Sequence, residues 1–284
     1  MQRQFVPKAV LETMQNEKVT AAMLVPTMIN FLLYIPEMEK FDLSSLQWVM
    51  VGGSPMSQAN ARRMTKQLGC RYISGYGLTE TCPLLTVSNL KDMLTELSEG
   101  KQMAYITRTG LEVMGVDLKI VDSKGKEVPK DGKTVGEIIA RGDNVMKGYW
   151  KLPQETEKAI ACGYFRTGDL ATVDAENYIL IVDRAKDIIS SGENISSVEV
   201  ENVLYMHPAV LVCAVITVPG EKWGEIPKAI VALKPNARAT EKELVDFCRE
   251  RMAAFKSPKS IAFVPELPKT GSGKILNTEL RKRI

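Results

Sequence analysis

The amino-acid sequence predicts an α/β unit that passes into a small β subdomain, followed by a separate α+β unit. Three patterns carry that expectation. Apolar runs in the first hundred residues stop at glycines and are followed by helical periodicity; from about Met103 to Val182 short alternating runs are closed by turn residues; after Arg184 capped helices alternate with apolar strands. A length of 284 residues also suits about two domains.

Taken in order, the most apolar stretch is Ala21 to Pro36. It falls short of the roughly 18 uninterrupted apolar residues of a membrane span and contains Pro26, Thr27 and Asn30. Leu46 to Val51 is a short apolar run ending at Gly52-Gly53, the pattern of a buried strand entering a tight loop. Ser57 then caps a helix with Ala61, Met64 and Leu68 on one face, stopped by Gly69. Another strand, Arg71 to Ser74, runs into Gly75-Tyr76-Gly77. In the second region, Asp117 to Val121 leads into Asp122–Gly125 and Val135 to Ala140 into Arg141-Gly142-Asp143, two strands closed by turns. In the third, Ser196 and Glu199 form a capping box before a helix that turns Val200, Val203 and Leu204 inward. Val210 to Val218 and Ala229 to Leu233 read as strands, Thr240 with Glu243 caps a helix through about Ala254, and Ile261 to Val264 adds a strand. These patterns divide the chain into residues 1–182, with the α/β part at 1–102 and the β subdomain at 103–182, and residues 183–284, with the junction at Asp183.

Composition narrows the function classes. The 45% apolar and 25% charged residues are ordinary for a globular protein, which sets disorder aside. Lys plus Arg number 37 against 34 Asp plus Glu, and a net charge of +3 is too slight to argue for nucleic acid or an anionic membrane as a partner. One imidazole, His207, cannot build a multi-His zinc site, and its His-Pro-Ala-Val setting reads as a turn after a helix. The cysteines at 70, 82, 162, 213 and 248 show no Cys-x-x-Cys spacing, so neither a disulfide framework nor a zinc knuckle is indicated. With no secretory h-region after Met1 and no transmembrane segment, a cytoplasmic protein is expected. Met23, Met114 and Met146 read as core packing rather than the lining of an apolar tunnel. Nothing in the sequence assigns an oligomeric state.

Chemistry is concentrated in a few short motifs. In Ser74-Gly75-Tyr76-Gly77-Leu78-Thr79-Glu80 the glycines let backbone approach a ligand, Thr79 offers a hydroxyl to a phosphate oxygen and Glu80 a carboxylate to Mg²⁺; taken alone, the segment is equally a capped glycine turn. In Gly163–Asp169 an aspartate after Gly168 is placed to accept both hydroxyls of a ribose, or is an ordinary turn residue. Asp183-Arg184-Ala185-Lys186-Asp187 resembles a solvated linker, unless Arg184 reaches a nucleotide and Ser190-Ser191-Gly192 forms a working loop. Pro268–Lys274 fails as a Walker loop, because Pro268 stands where the first Gly belongs and Ile275 where Ser or Thr belongs; it leaves a lysine on a mobile glycine loop.

In this order and spacing the motifs resemble the adenylate-forming superfamily of acyl- and aryl-CoA synthetases, luciferases and peptide-synthetase adenylation domains. Val51–Met56, Tyr76–Glu80, Gly136-Glu137-Ile138, Arg166–Asp169, Asp183–Asp187, Gly192–Ile195 and Pro268–Lys274 all match the family's pattern. Tyr164, where Trp is frequent, and Ser197, where Pro is frequent, depart from it. The resemblance implies an incomplete adenylate-forming large domain, made of an α/β sheet part and a small β-barrel subdomain, followed by a mobile α+β domain hinged at Asp183. It implies activation of a carboxylic acid by ATP as acyl-AMP with release of pyrophosphate, then transfer of the acyl group to coenzyme A. Carried over residue by residue, Gly52, Gly53 and Ser54 line the adenine and acyl pocket with Gly75, Tyr76 and Gly77 beside the nucleotide, Thr79 binds the AMP phosphate, and Glu80 holds Mg²⁺. Asp169 takes the ribose, Arg184 supports ribose or phosphate, Lys274 bridges carboxylate and α-phosphate, and Ser191, Gly192 and Glu193 form the pantetheine loop. Trp223–Ala229 and Phe255–Lys259 look most like fatty-acyl-CoA synthetases, which makes a fatty acid the expected substrate. The family's Ser/Thr/Gly-rich phosphate loop is not in the sequence, and Phe5 to Tyr34 already resembles the middle of the large domain. The chain is therefore expected to be the C-terminal half of such an enzyme, unable alone to form the adenylate. The alternative is a non-catalytic module that binds AMP or acyl-adenylate.

Overall fold

Three parallel strands organise the N-terminal part of the protein, as described by a computed structural model for residues 4–191, 193–220, 224–271 and 273–283. Helix α1 (Pro7–Asn16) precedes β1 (Ala21–Leu24), α2 (Pro26–Leu32) precedes β2 (Trp48–Val51), and α3 (Gln58–Leu68) precedes β3 (Arg71–Tyr76). Both β1 with β2 and β2 with β3 pair in parallel, Met23 beside Met50 and Met50 beside Ile73. The apolar stretch from Ala21 is thus split into a strand and a helix. Pro26 makes the split: its fixed φ and missing N–H suit the first helical position. Helix α3 forms as its sequence predicts, with the Ser57 hydroxyl accepting the Asn60 N–H at 3.3 Å, Ala61, Met64 and Leu68 buried, and Gly69 at φ +65 ending it. Leu11, Ile29, Leu32, Val49 and Met64 are fully shielded in the shared core, each burial contributing roughly 1.5–3 kcal/mol. The short antiparallel β4 (Thr86–Val87) and β5 (Leu111–Glu112), separated in sequence by α4 (Glu99–Ile106), extend the sheet beyond β3.

A second sheet follows, built from β6 (Val116–Val121), β7 (Gly136–Gly142), β8 (Ile160–Ala161), β9 (Tyr164–Val173) and β10 (Ile179–Arg184), with α5 (Pro153–Ala159) before β8. Its order is β10-β9-β7-β6, antiparallel throughout, and β8 adds to β9. Among the described residues β6 and β10 stand at the two ends of that hydrogen-bonded path, and Ile179 of β10 bridges to Gly110 beside β5. Tyr178 ties this sheet to the first unit: fully buried, its hydroxyl donates to Asn89 O at 2.6 Å and accepts the Lys91 N–H at 3.0 Å.

After Arg184 come the hairpin β11 (Ile189–Ser190) and β12 (Asn194–Ile195), helix α6 (Ser197–Leu204), strands β13 (Val210–Gly220) and β14 (Gly224–Leu233), helix α7 (Glu241–Arg249), strand β15 (Ser260–Phe263) and helix α8 (Asn277–Arg283). Strand β14 is central, antiparallel to β13 and parallel to β15. One face of this sheet packs Cys213, Val215 and Val231 on Val200, Leu204, Leu244 and Cys248; the other packs Val212, Ala214, Ile216 and Ile230 on Leu267 and Leu280. Covering both faces explains why Val210 to Val218 is apolar without alternation.

Several local expectations need correction. The Ser196–Glu199 capping box is half formed: the Ser196 hydroxyl accepts the Glu199 N–H at 3.1 Å, but the Glu199 carboxylate turns to Lys256 at 2.7 Å. Helix α7 ends at Arg249 rather than near Ala254, because the Cys248 carbonyl already receives the N–H groups of Arg251 and Met252 in a tightened last turn. Met114 is fully exposed and Met23 is 65% exposed, so neither packs a core. His207 is the buried turn residue expected, its Nδ1 accepting the Ala209 N–H at 3.2 Å and its ring edge-on to Phe247. All five cysteines are free thiols, and no helix among the described residues is long and apolar enough to cross a membrane.

The cap and core of the C-terminal unit can be read by urea unfolding. Thr240→Ala removes the complete capping box with Glu243 and lowers the unfolding free energy by about 1 kcal/mol. Leu204→Ala, at a fully buried position, lowers it by about 2–5 kcal/mol.

Candidate active site

Ligands of open α/β sheets bind beyond the carboxyl ends of the parallel strands, and there β2 gives way to Gly52 and β3 to Gly77. The glycines at these ends answer to protein as much as to ligand. A Cβ on Gly52 would lie 3.0 Å from Gly75 O, one on Gly75 3.1 Å from the Met50 sulfur, and one on Gly77 only 1.6 Å from Pro83 O. Gly77 is therefore required by backbone crowding inside the protein, and Gly75 is packed tightly by the Met50 and Leu84 side chains. Gly53, at φ +83, and Ser54 are the exposed members of the set. Past Gly77 the chain makes a short 3₁₀ turn, Thr79–Thr81, with Thr79 exposed and Glu80 half-buried. Glu80 is held from the next unit: its Oε1 accepts the Tyr149 hydroxyl at 3.0 Å and its carbonyl the Met146 N–H at 2.7 Å.

The second sheet brings Asp169 to the same place. Asp169 is 4% exposed on β9. A register shift on β10 between Ile181 and Asp183 sets Arg184 directly opposite it. Arg184 Nε lies 3.2 Å from Asp169 Oδ1, and the Tyr76 hydroxyl donates to Oδ2 at 2.7 Å. Burial first, and the Asp169 charge second, push the Tyr76 phenol far above its ordinary pKa, so it stays a donor. Each carboxylate oxygen can accept a further bond. Tyr76, Asp169 and Arg184, from three strands, thus form one group, joined by a hydrogen bond and an ion pair, that presents acceptors and a cation together.

Lys274 senses the same group. Desolvation of its ammonium, then Arg184, push its pKa below the ordinary lysine value; Asp169 opposes this, Lys186 adds to it and Asp187 opposes it. The lysine loop is ordered by its own turn, with the Lys274 N–H donating to Thr270 Oγ1 at 3.1 Å and the Thr270 N–H to Lys274 O at 2.8 Å. It is docked across the molecule by a bond from the Thr27 hydroxyl to Gly273 O at 2.6 Å.

The Asp183–Asp187 segment is also no solvated linker. Asp183 is 3% exposed; its carboxylate accepts the Arg184 N–H at 2.7 Å, the Ser197 N–H at 2.5 Å and the Ser197 hydroxyl at 2.9 Å, fixing the start of α6. Asp187 pairs with Arg281 of α8 at 2.6 Å. Ser191 and Glu193 belong to the β11–β12 turn, closed by Ser191 N–H to Glu193 O at 3.0 Å and bridged to Gly224. Gly192 lies outside the described residues.

The AMP-binding enzyme family matches residues 1–150, and the AMP-binding enzyme C-terminal domain matches residues 199–274. The chain belongs to the AMP-binding enzyme family. It is 41% identical over 280 residues to a feruloyl-CoA synthase of an Amycolatopsis species, covering 98% of this chain and 55% of that one. It is 38% identical over 288 residues to a peroxisomal benzoate–CoA ligase of Arabidopsis thaliana, covering 96% and 49%. A crystal structure of an anthranilate CoA ligase with anthranoyl-AMP superposes with a TM-score of 0.87 at 31% identity, covering 98% and 52%. The chain spans about half the length of the curated relatives it matches.

For this AMP-binding family member, the structure adds residues that motif reading missed. Tyr149 reaches Glu80, and Thr81, buried, accepts the Leu78 N–H at 3.0 Å and fixes the turn that displays Thr79. Neither has a sequence signal of its own, since Tyr149 is 69 residues from its partner. Behind Asp183 stands Glu201 of α6, whose Oε1 accepts the Val215 N–H at 2.8 Å. Burial pushes its pKa to about 8, and the charges of Asp183 and Asp187 act in the same direction. The folded state therefore holds this proton where the unfolded chain has lost it. The sign is fixed by linkage: stability falls as pH rises from about 4.5, the unfolded value, to about 8, the folded value. Glu201→Gln keeps a carbonyl acceptor for Val215 and removes the titration. Thermal melts across pH 4.5–8 should show the variant gaining stability on the parent as pH rises; a constant difference would contradict the assignment.

Proposed function

We propose that this chain carries the later half of the machinery of an AMP-forming acid–thiol ligase. The observation that carries the reading is the convergence of Tyr76, Asp169 and Arg184 with the field of Lys274 at the strand ends. In this reading Asp169 accepts the ribose hydroxyls through its remaining lone pairs, while Tyr76 and Arg184 hold the carboxylate in place. Gly53 and Ser54, exposed beyond β2, and Gly52 border the adenine and acyl groups. Thr79 donates to the α-phosphate. Lys274 meets the carboxylate and the α-phosphate as they approach: a positioned ammonium offsets the repulsion of two anions and stabilises charge developing in the transition state.

Mg²⁺ fits the residues present. It is bound through one or two carboxylates, with phosphates and water completing an octahedral shell. Glu80, with Oε1 engaged by Tyr149, offers Oε2, and among the described residues no cluster of three His, Cys, Asp or Glu forms a protein cage. When bound with ATP, the ion neutralises phosphate charge.

The two half-reactions call for residues 1–182 and 183–284 to act as separate units about Asp183. Anchored on the start of α6, Asp183 lets rotation withdraw Lys274 and bring the β11–β12 turn, with Ser191, Gly192 and Glu193, to the site for the coenzyme A arm. An aromatic carboxylate is the preferred substrate class. The names of the feruloyl, benzoate and anthranilate ligases support it over the fatty acid that Trp223–Ala229 and Phe255–Lys259 suggest. Trp223 lies outside the described residues, and Phe255 is exposed.

Calorimetry on the 284-residue chain tests the nucleotide site: AMP binds, and Asp169→Asn weakens it at least about tenfold, the equivalent of losing one charge-assisted hydrogen bond. On a polypeptide extended to the length of its relatives, Lys274→Ala lowers ATP–pyrophosphate exchange by about 10²–10³ and leaves thioester formation from supplied acyl-AMP within a few-fold. Equal loss of both steps sinks the lysine's role; AMP binding with no exchange under any carboxylate points to a binding module.

A further inference from the structure

The residue before Lys274 is seated on the opposite unit of the protein. The Gly273 carbonyl accepts the Thr27 hydroxyl at 2.6 Å, across 246 residues of sequence. Thr27 is 6% exposed, in the first turn of α2, where Pro26 fixes the backbone. Gly273 sits close enough that an added Cβ would meet Val25, Thr27 and Met28 at 3.3–3.5 Å, and its φ of +85 suits glycine. One turn further along α2, the Lys269 ammonium lies 4.5 Å from the Phe31 ring centre while paired with Glu266 at 2.9 Å. Beside these contacts a cavity of about 350 Å³ separates Phe5, Met28 and Phe31 from Thr270 and Gly271.

Among the described residues the seat is small: one hydroxyl, one cation over a ring and one close approach of Gly273, beside the cavity. That is the build of a reversible latch. A permanent interface would close the cavity, and a loop held only by its own turn would need no partner on α2. The hydroxyl binds the carbonyl next to Lys274, so it sets where the lysine's backbone begins.

We propose that Thr27 is a positioning residue that latches the Lys274 loop onto the N-terminal unit for the adenylation step. The latch rests on the ligase reading for what the lysine does there, but it is testable without turnover. Thr27→Val keeps shape and removes the donor; Thr27→Ser restores it. Trypsin cleavage of the 284-residue chain, followed by mass spectrometry, compares the Lys274–Ile275 bond with the reference bond Lys124–Gly125 in an exposed turn. The valine variant should be cut at Lys274 about fivefold faster relative to the reference, the equilibrium weight of one ordinary hydrogen bond, and the serine variant at the parental rate. No acceleration, acceleration of both bonds alike, or a serine variant that behaves as valine overturns the latch. On the extended polypeptide, Thr27→Val should slow pyrophosphate exchange about fivefold and leave thioester formation from supplied acyl-AMP unchanged; unchanged exchange, or equal slowing of both, overturns the positioning role. Absence of exchange in the unsubstituted polypeptide would instead remove the ligase reading, with the proteolysis result still deciding the latch.

Discussion

The buried carboxylate of Asp169 is the constraint on which the site depends. An ionised carboxylate taken out of water must be matched by donors and a cation, or the fold bears a penalty of several kcal/mol. Arg184 and Tyr76 supply that match from two other strands. Satisfying Asp169 therefore fixes the β9–β10 register, the end of β3, and the approach of the first sheet to the second. Arg184 can face Asp169 only because β10 shifts register after Ile181. The residue just before it, Asp183, uses its own carboxylate to hold the first N–H of α6. One short run of chain thus closes the candidate site on one side and orients the C-terminal unit on the other.

Much of this was legible in the sequence, for local reasons. Helix α3 is specified by Ser57, a stripe of apolar residues and Gly69, all within one element, and α7 by Thr240 with Glu243. Resemblance picked out Asp169, Arg184 and Lys274, because motifs preserve residue type and spacing. Those same motifs did not convey why residue 77 is a glycine: the reason is crowding against the Pro83 backbone.

What sequence reading lost depends on distance. Glu199 was taken for a box partner because its spacing is right, yet Lys256, 57 residues away, takes its carboxylate. The charges around Asp183 resembled a linker because nothing local shows that Ser197 and Arg281 will meet them. Tyr149 and Thr27 were invisible for the same reason: their partners arrive from another unit.

The electrostatics of the assembled site lead one step further. Around the Lys274 ammonium stand Arg184 and Lys186 as cations and Asp169 and Asp187 as anions. Asp169 is already matched by Arg184, and Asp187 by Arg281 of α8. The carboxylates near the lysine are thus committed, and the lowered pKa of Lys274 shows that desolvation and neighbouring cations together outweigh them. In the proposed ligase reading, an anion that enters beside Lys274 offsets the repulsion from Arg184 and Lys186.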